Sequence, residues 1–422
     1  MSPIRARATV TGTALAAALT LAVPAPTAAA PAPAATPAVR AVPPTVEEAR
    51  LERAVPQEIL RRSGFATVAP RFAAALANAR TAKQAERVVE RHGAALWQRA
   101  VDRVQGRGPL AGDLARDDDR PLYWARLGMT RELRQWQPAF PVGDRARAKL
   151  LAELEETSRG QDSMDFPRGQ RHRGAPVKRV VMTGFDPFTL DRDIRISNPS
   201  GATALALDGT WIQTADGPAR VETAIFPVRW QDFADGTVEK ALRTPLARAD
   251  VFTTVSQGRP GRIDIERHNG AWRGGFPDNE NISRTETVPV TDPATQPQWT
   301  TSTLPHTAIT AAPTGRFPVY DNTSVTEIPA GATAPVVRPD GPTPGSTARV
   351  GGGGNYLSNE IAYRATLLRD RLGLTTPGGH VHTPVLEFGP GNTTEITDPA
   401  FLQNRRDIVD QVRAIIRVAA KR

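Results

Sequence analysis

From Arg179 to the C-terminus, short apolar runs alternate with amphipathic segments, and that rhythm constrains the fold more than anything else in the chain. RVVMTGF, VETAIFPVRW, DVFTTVS and GHVHTPVLEF read as strands. The small segment around Ala204–Leu207, then TVEKALRTPLARA, LSNEIAYRATLLRDRL and RDIVDQVRAIIRVAAK read as helices. In the third of these Leu357, Ile361, Ala365 and Leu368 share one face. Strands that alternate with helices imply a mostly parallel sheet covered on both sides, because a parallel strand returns only through a crossover. The expected class is α/β, three-layered as α/β/α. A Thr/Pro-rich stretch at about 286–350 breaks the pattern and is expected to form a long surface excursion.

The first part of the chain is different. Residues 1–30 carry Arg5 and Arg7, then an Ala/Leu-rich core from Ala14 to Val23, then small residues around Ala28–Ala30. These three parts make up a secretory signal, so the mature protein is expected to work outside the cytoplasmic membrane. Residues 31–45 are a Pro/Ala linker. Residues 46–157 have helical periodicity: TAKQAERVVERHGAALWQRAVDRV places Ala85, Val88, Val89, Ala95, Leu96 and Val101 on one face, and RARAKLLAELEETS repeats the pattern. His92, on a charged helix, reads as a surface residue. Three roles are open for this region: a chaperoning pro-segment, a cell-wall attachment module, or a cap over a cleft. Residues 158–178 are polar, Gly- and Arg-rich, and read as a linker.

Composition removes several functions. There is no cysteine among the 422 residues, which excludes disulfides, thiolate metal sites and a thiol nucleophile. The net charge of +9 comes from 53 basic residues scattered among 44 acidic ones, without a basic block. That dispersion speaks against nucleic-acid binding. Past the N-terminal stretch, no apolar run approaches the ~20 residues of a membrane span.

Three local patterns can carry chemistry. GGGGNYLSN (351–359) lets the backbone approach a ligand closely and then opens a helix, so a hydroxyl at Ser358 sits beside helix-terminal amides; taken alone, such a glycine run is more often a flexible hinge. HVH (380–382) in a strand puts His380 and His382 on one face, as a metal pair completed by His268 or Glu387, or as one base with a bystander. RIDIERHNGAW contains Glu266, which can orient an imidazole or pair with Arg267 on the surface.

VVMTGFDPF, NPSGATALAL, VSQGRPGRIDIER, FPDNE, TSTLP, YLSN and GHVHTP follow one another in this order. Together they resemble pyroglutamyl peptidase I (pyrrolidone-carboxylate peptidase) over about residues 179–418. That family has the strings TGF, an acidic residue and PF; then NP, a Glu-Arg pair, PDN, a Cys-Asn turn and a His-containing strand ending in Pro. The 24-residue step from Ser358 to His382 is similar to its nucleophile-to-His spacing.

The resemblance implies a phosphorylase/hydrolase-like α/β/α domain that removes N-terminal pyroglutamate from peptides, or acts on other small lactam-bearing substrates; no cofactor is expected, and without a recognisable ligand spacing no metal. By position it implies catalytic roles for Glu266, Ser358 and His382. It implies substrate contacts at Phe185, Phe188, Gln257, Phe276, Tyr356 and Leu357, and a structural role for Asn198–Pro199. The chain departs from the pattern in several places. Ser358 replaces the family's cysteine, Thr189-Leu190 replaces Gly-Gly, and Gly275 replaces an Arg, with Arg273 close by. The stretch before Glu266 is shorter and the excursion before Gly351 is longer, so the excursion can cover or reshape the site. A catalytically silent protein that keeps the pocket is the alternative to a serine hydrolase.

Overall fold

The computed structural model describes residues 42–421 other than 168, 170 and 173. The expected signal over 1–30 and most of the Pro/Ala stretch lie outside the described residues. Val42 to the C-terminus form one unit.

At its centre is a seven-stranded sheet. The strands are β1 (Lys178–Phe185), β2 (Thr210–Thr214), β3 (Gly217–Phe226), β4 (Val251–Gln257), β5 (Ile263–Glu266), β6 (Val319–Asn322) and, after three strands given below, β10 (Gly378–Thr383). Their spatial order is β6-β5-β10-β4-β1-β3-β2. The pairs from β10 through β3 are parallel, β2 closes one edge antiparallel, and β5 and β6 run parallel to each other but β5 is antiparallel to β10. The sheet is therefore mostly parallel.

Strands covered on both faces should be apolar on both, and β1 shows how the two faces separate. Val180 and Met182 join one core cluster, and Val181 and Phe185 the other. The first cluster includes Leu205 of α7 (Pro199–Leu207) and Val412 and Ile416 of α12 (Pro399–Ala419). The second takes Trp230 and Phe233 of α8 (Trp230–Ala234), Leu242 of α9 (Thr237–Leu246) and Ile361 of α11 (Leu357–Arg371). Helices flank the sheet on both sides.

The N-terminal region is helical, as its periodicity predicts: α1 (Val46–Ala49), α2 (Ala54–Ser63), α3 (Val68–Ala77), α4 (Ala82–Val104), α5 (Arg120–Gln135) and α6 (Asp144–Thr157). Thr81 caps α4 by accepting from the Gln84 amide. Its buried face includes Ala85, Val89, Leu96 and Val101, but Ala95 is exposed and Trp97 and Ala100 are buried instead. The 3.6-residue period is right and the stripe is turned toward Trp97, which Gly160 abuts. This region shares the first core cluster with the sheet, through Phe72, Val89, Leu96 and Trp124.

Two segments differ from their sequence reading. The stretch after Thr157, expected as a linker, is built into the body: Arg159 is 1% and Phe166 0% exposed. Arg159 is held by Asp186 at 2.8 Å and by Glu155, which outweighs the polar composition. The Thr/Pro-rich stretch is not merely a surface excursion. It supplies the edge strand β6, α10 (His306–Ala311), and a three-stranded sheet of β7 (Val325–Ile328), β8 (Val336–Arg338) and β9 (Thr347–Val350). An edge strand needs hydrogen bonds on one side only, so polar residues suffice to make it. Among the described residues no helix is long and apolar enough to cross a membrane.

Candidate active site

Glu266 ends β5, and His382 lies near the end of the neighbouring β10. Glu266 is fully buried, and its Oε1 lies 2.6 Å from Nδ1 of His382. Gly258 lies against the ring: a Cβ there would fall 2.8 Å from His382 Cβ and Cγ. That contact and the carboxylate fix the imidazole plane and leave Nε2 for the cleft.

Ser358 is the second residue of α11. Tyr356 caps this helix without a side-chain hydrogen bond, and the first intrahelical bond runs from Glu360 N to Tyr356 O at 3.1 Å. The amides of Leu357, Ser358 and Asn359 therefore precede the helical ladder and form an electropositive helix start. Asn359 anchors the turn by accepting from Gly270 N (2.9 Å) and donating to Gly270 O (2.8 Å). The Ser358 hydroxyl is half-buried and donates to the Gly353 carbonyl at 3.1 Å.

The glycine run is a tight turn and not a hinge. Gly351 N donates to Gly354 O at 2.8 Å and Gly354 N returns to Gly351 O at 3.0 Å. Gly354 has φ +88°, and a Cβ on Gly352 would collide with Glu266 Oε2. Only glycine allows the turn to lie this close to the buried acid.

A small apolar pocket, with a cavity volume of about 30 Å³, adjoins Ser358. Phe185, Phe188, Gln257, Tyr356 and Leu357 line it, together with Asn198, Val228 and Ser256. Phe276 does not line it. It is 50% exposed and stands edge-on to Tyr356, 5.3 Å between ring centres. Burial pushes the Tyr356 phenol up. A second, more open cleft meets the first at Phe188, Gln257, Tyr356 and Ser358, and also takes in His382, Arg259, Asn322 and the glycine turn. Ser358, His382 and Glu266 are thus brought together where two cavities join.

His380 shares a face with His382, their rings 4.7 Å apart. Its Nδ1 lies 2.7 Å from Thr254 Oγ1 and its Nε2 2.8 Å from Ser256 Oγ, and burial holds its pKa well below the ordinary histidine value. With both nitrogens taken up by hydroxyls, His380 is the bystander. Glu387 is exposed, and among the described residues no three His, Cys, Asp or Glu side chains gather as a metal site. Arg273 turns away from the pocket into a buried pair with Glu360, at 2.7 Å.

Asn322 carries no signal in the sequence. It lies in β6 beside Glu266, and its Nδ2 donates to Glu266 Oε2 at 2.6 Å.

Two family profiles match the chain: "PA0049 N-terminal domain" over residues 27–155, and "PA0049, C-terminal domain" over 179–295 and 317–387. Uncharacterized protein PA0049 of Pseudomonas aeruginosa is 33% identical over 461 aligned positions, covering 85% of this chain and 83% of that one. The chain belongs to the PA0049 family. Two solved structures overlap part of this PA0049-family chain. Pyrrolidone carboxyl peptidase of Pyrococcus furiosus covers 57% of it and 97% of its own chain, at 23% identity and a TM-score of 0.39. Pyroglutamyl peptidase I of Bacillus amyloliquefaciens covers 58% and 97%, at 21% identity and a TM-score of 0.39.

Proposed function

We propose that this chain is a secreted, phosphorylase/hydrolase-like serine hydrolase that releases N-terminal pyroglutamate from peptides. The observation that carries the reading is the 2.6 Å Glu266–His382 bond, which aims an imidazole at the cleft wall shared with Ser358. The ordered motifs and the aromatic pocket beside Ser358 support the substrate. In this reading the faces of Phe185, Phe188 and Tyr356 grip the flat lactam ring. The N-terminal pattern of residues 1–30 supports export.

In the proposed mechanism the Ser358 hydroxyl leaves Gly353 O and turns to His382 Nε2. Its oxygen attacks the exocyclic pyroglutamyl carbonyl as the imidazole takes its proton, and Glu266 holds the imidazolium in place. Amides of Leu357–Asn359 receive the oxyanion. The C–N bond breaks, His382 passes the proton to the leaving amine, and water then cleaves the ester to free pyroglutamate. The open cleft takes the departing peptide.

The resting bond from Ser358 to Gly353 favours a second reading, in which the hydroxyl stays parked and the pocket only binds. Release of a fluorescent amine from a pyroglutamyl conjugate separates the two. Turnover that Ser358→Ala and His382→Ala both abolish supports the hydrolase. Retained binding without turnover supports the binder, and activity gained by Ser358→Cys would show that the serine alone is at fault.

A further inference from the structure

We propose that Asn322 is a positioning residue for this chemistry, its one amide group tying the outer oxygen of Glu266 to the glycine turn that carries Ser358's acceptor. The inference rests on the serine-hydrolase reading of the same site.

Nδ2 of Asn322 donates to Glu266 Oε2 at 2.6 Å and to Gly352 O at 3.1 Å. Two acceptors on one atom settle which end of the amide faces them, since an oxygen there would meet a carboxylate and a carbonyl. Glu266 then has one oxygen on His382 and one on Asn322, and its carboxylate cannot rotate without breaking one of these bonds. Gly352 is next to Gly353, whose carbonyl receives Ser358, so the same amide sets the acid and the nucleophile turn relative to each other.

Asn322 is itself held firmly. It pairs with Glu266 in the parallel β5–β6 register, and its carbonyl accepts from Arg267 N at 2.9 Å. The preceding residue, Asp321, is bonded to His306 at 2.8 Å and to the Arg267 guanidinium. His306 in turn lies 2.9 Å from Ser302 Oγ. Ser302 and His306 are buried, each 3% exposed, while Asp321 reaches the surface, and this second Ser–His–Asp line braces β6.

A serine requires this more than a thiol does. A thiolate forms ahead of attack, whereas a hydroxyl gives up its proton only during attack, to a base already aligned in the right tautomer. The strand supplying that alignment comes from the part of the chain that is longer than in the thiol family the motifs resemble.

The test uses the whole protein with 15N-labelled histidine, and Asn322→Leu and Asn322→Asp variants. Long-range 1H–15N spectra report the tautomer of each of the six histidines, with His382→Gln for assignment. The expected result is a single Nδ1–H tautomer at His382 in the parent, lost in both variants. The rate on a pyroglutamyl amide should fall about 10–100-fold in kcat, the usual cost of an orienting partner, with KM within about two-fold. An unchanged His382 tautomer in the variants, or its absence from the parent, overturns the proposal, as does an unchanged kcat. If the parent cleaves no pyroglutamyl amide, the hydrolase reading fails and the spectra alone decide the role of Asn322. If Asn322→Leu melts out, the isosteric Asn322→Asp decides.

Discussion

The proposed role of Ser358 depends on its neighbours, and those neighbours differ in how plainly the sequence announces them. Ser358, His382 and Glu266 stand out because each lies in a short string whose order along the chain is distinctive. Asn322 does not: YDNTS has neither a period-two apolar pattern nor a glycine to mark it, and only the fold brings it to Glu266. If Glu266 orients the imidazole, Glu266→Gln should leave pocket binding intact and lower kcat by about 10³–10⁴-fold, as losing the equivalent acid does in serine triads; kcat and KM measured separately check this. Among the described residues Arg259 is the one fixed charge on the wall of the open cleft, and it shares Asp264 with Arg262 (3.4 and 2.9 Å), leaving positive charge over. If the chain is a pyroglutamyl hydrolase as proposed, pyroglutamyl peptides with an acidic second residue should therefore be cleaved faster than those with a lysine there. The margin is about 0.2–1 kcal/mol, or up to roughly five-fold, and Arg259→Glu should reverse it in a competition assay.

At the scale of elements, the alternation after Arg179 foretells the parallel sheet because short runs such as VVMTGF in β1 are buried on both faces, so burial shows in residue type. The edge strand β6 escapes that logic. Tyr320 is 46% exposed, with the Arg262 guanidinium 4.1 Å over its ring, and Asp321 and Asn322 are polar, so the strand reads as loop. The glycine turn has a sharper consequence. Gly352→Ala should cost activity through displacement of Glu266, and should shift the His382 resonance that reports its hydrogen bond. On β3, burial pushes the Glu222 carboxyl up to about 7, against a smaller opposing effect of Arg220 at 2.6 Å. A carboxyl raised in the folded state stabilises most below its unfolded value of 4.5 and loses that contribution as pH climbs through about 7. Glu222→Gln should therefore flatten the fall in stability between pH 5 and 8, by on the order of 1–3 kcal/mol at ~1.4 kcal/mol per pKa unit. Denaturant titrations across that range read it out.

At the scale of the molecule, the helical region is neither a tether nor a free module. Glu47 accepts from Tyr123 (2.9 Å), Asn279 (3.0 Å) and Arg229 (3.1 Å). Arg126 and Arg159 both pair with Asp186, next to the pocket residue Phe185, and Asp119 accepts from Asn198 N at 2.9 Å. Three motif loops of the α/β part, at 186, 198 and 279, are thus gripped by residues of the first 160. Nothing in the sequence predicts this seam, because buried ion pairs leave no periodic trace. Thermal unfolding followed by tryptophan fluorescence and by circular dichroism should give one coincident transition. A fragment beginning at residue 169 should fail to fold. Asp186→Asn, which leaves the buried Arg126 without its carboxylate while Arg159 keeps Glu155, should cost about 3–5 kcal/mol. The seam also says where hardiness against heat would be won. Since the pocket residue Phe185 continues directly into Asp186, the acid held by Arg126 and Arg159, loss of function on warming should track the loosening of that joint. Cross-linking the two halves there is then the shortest route to a sturdier protein.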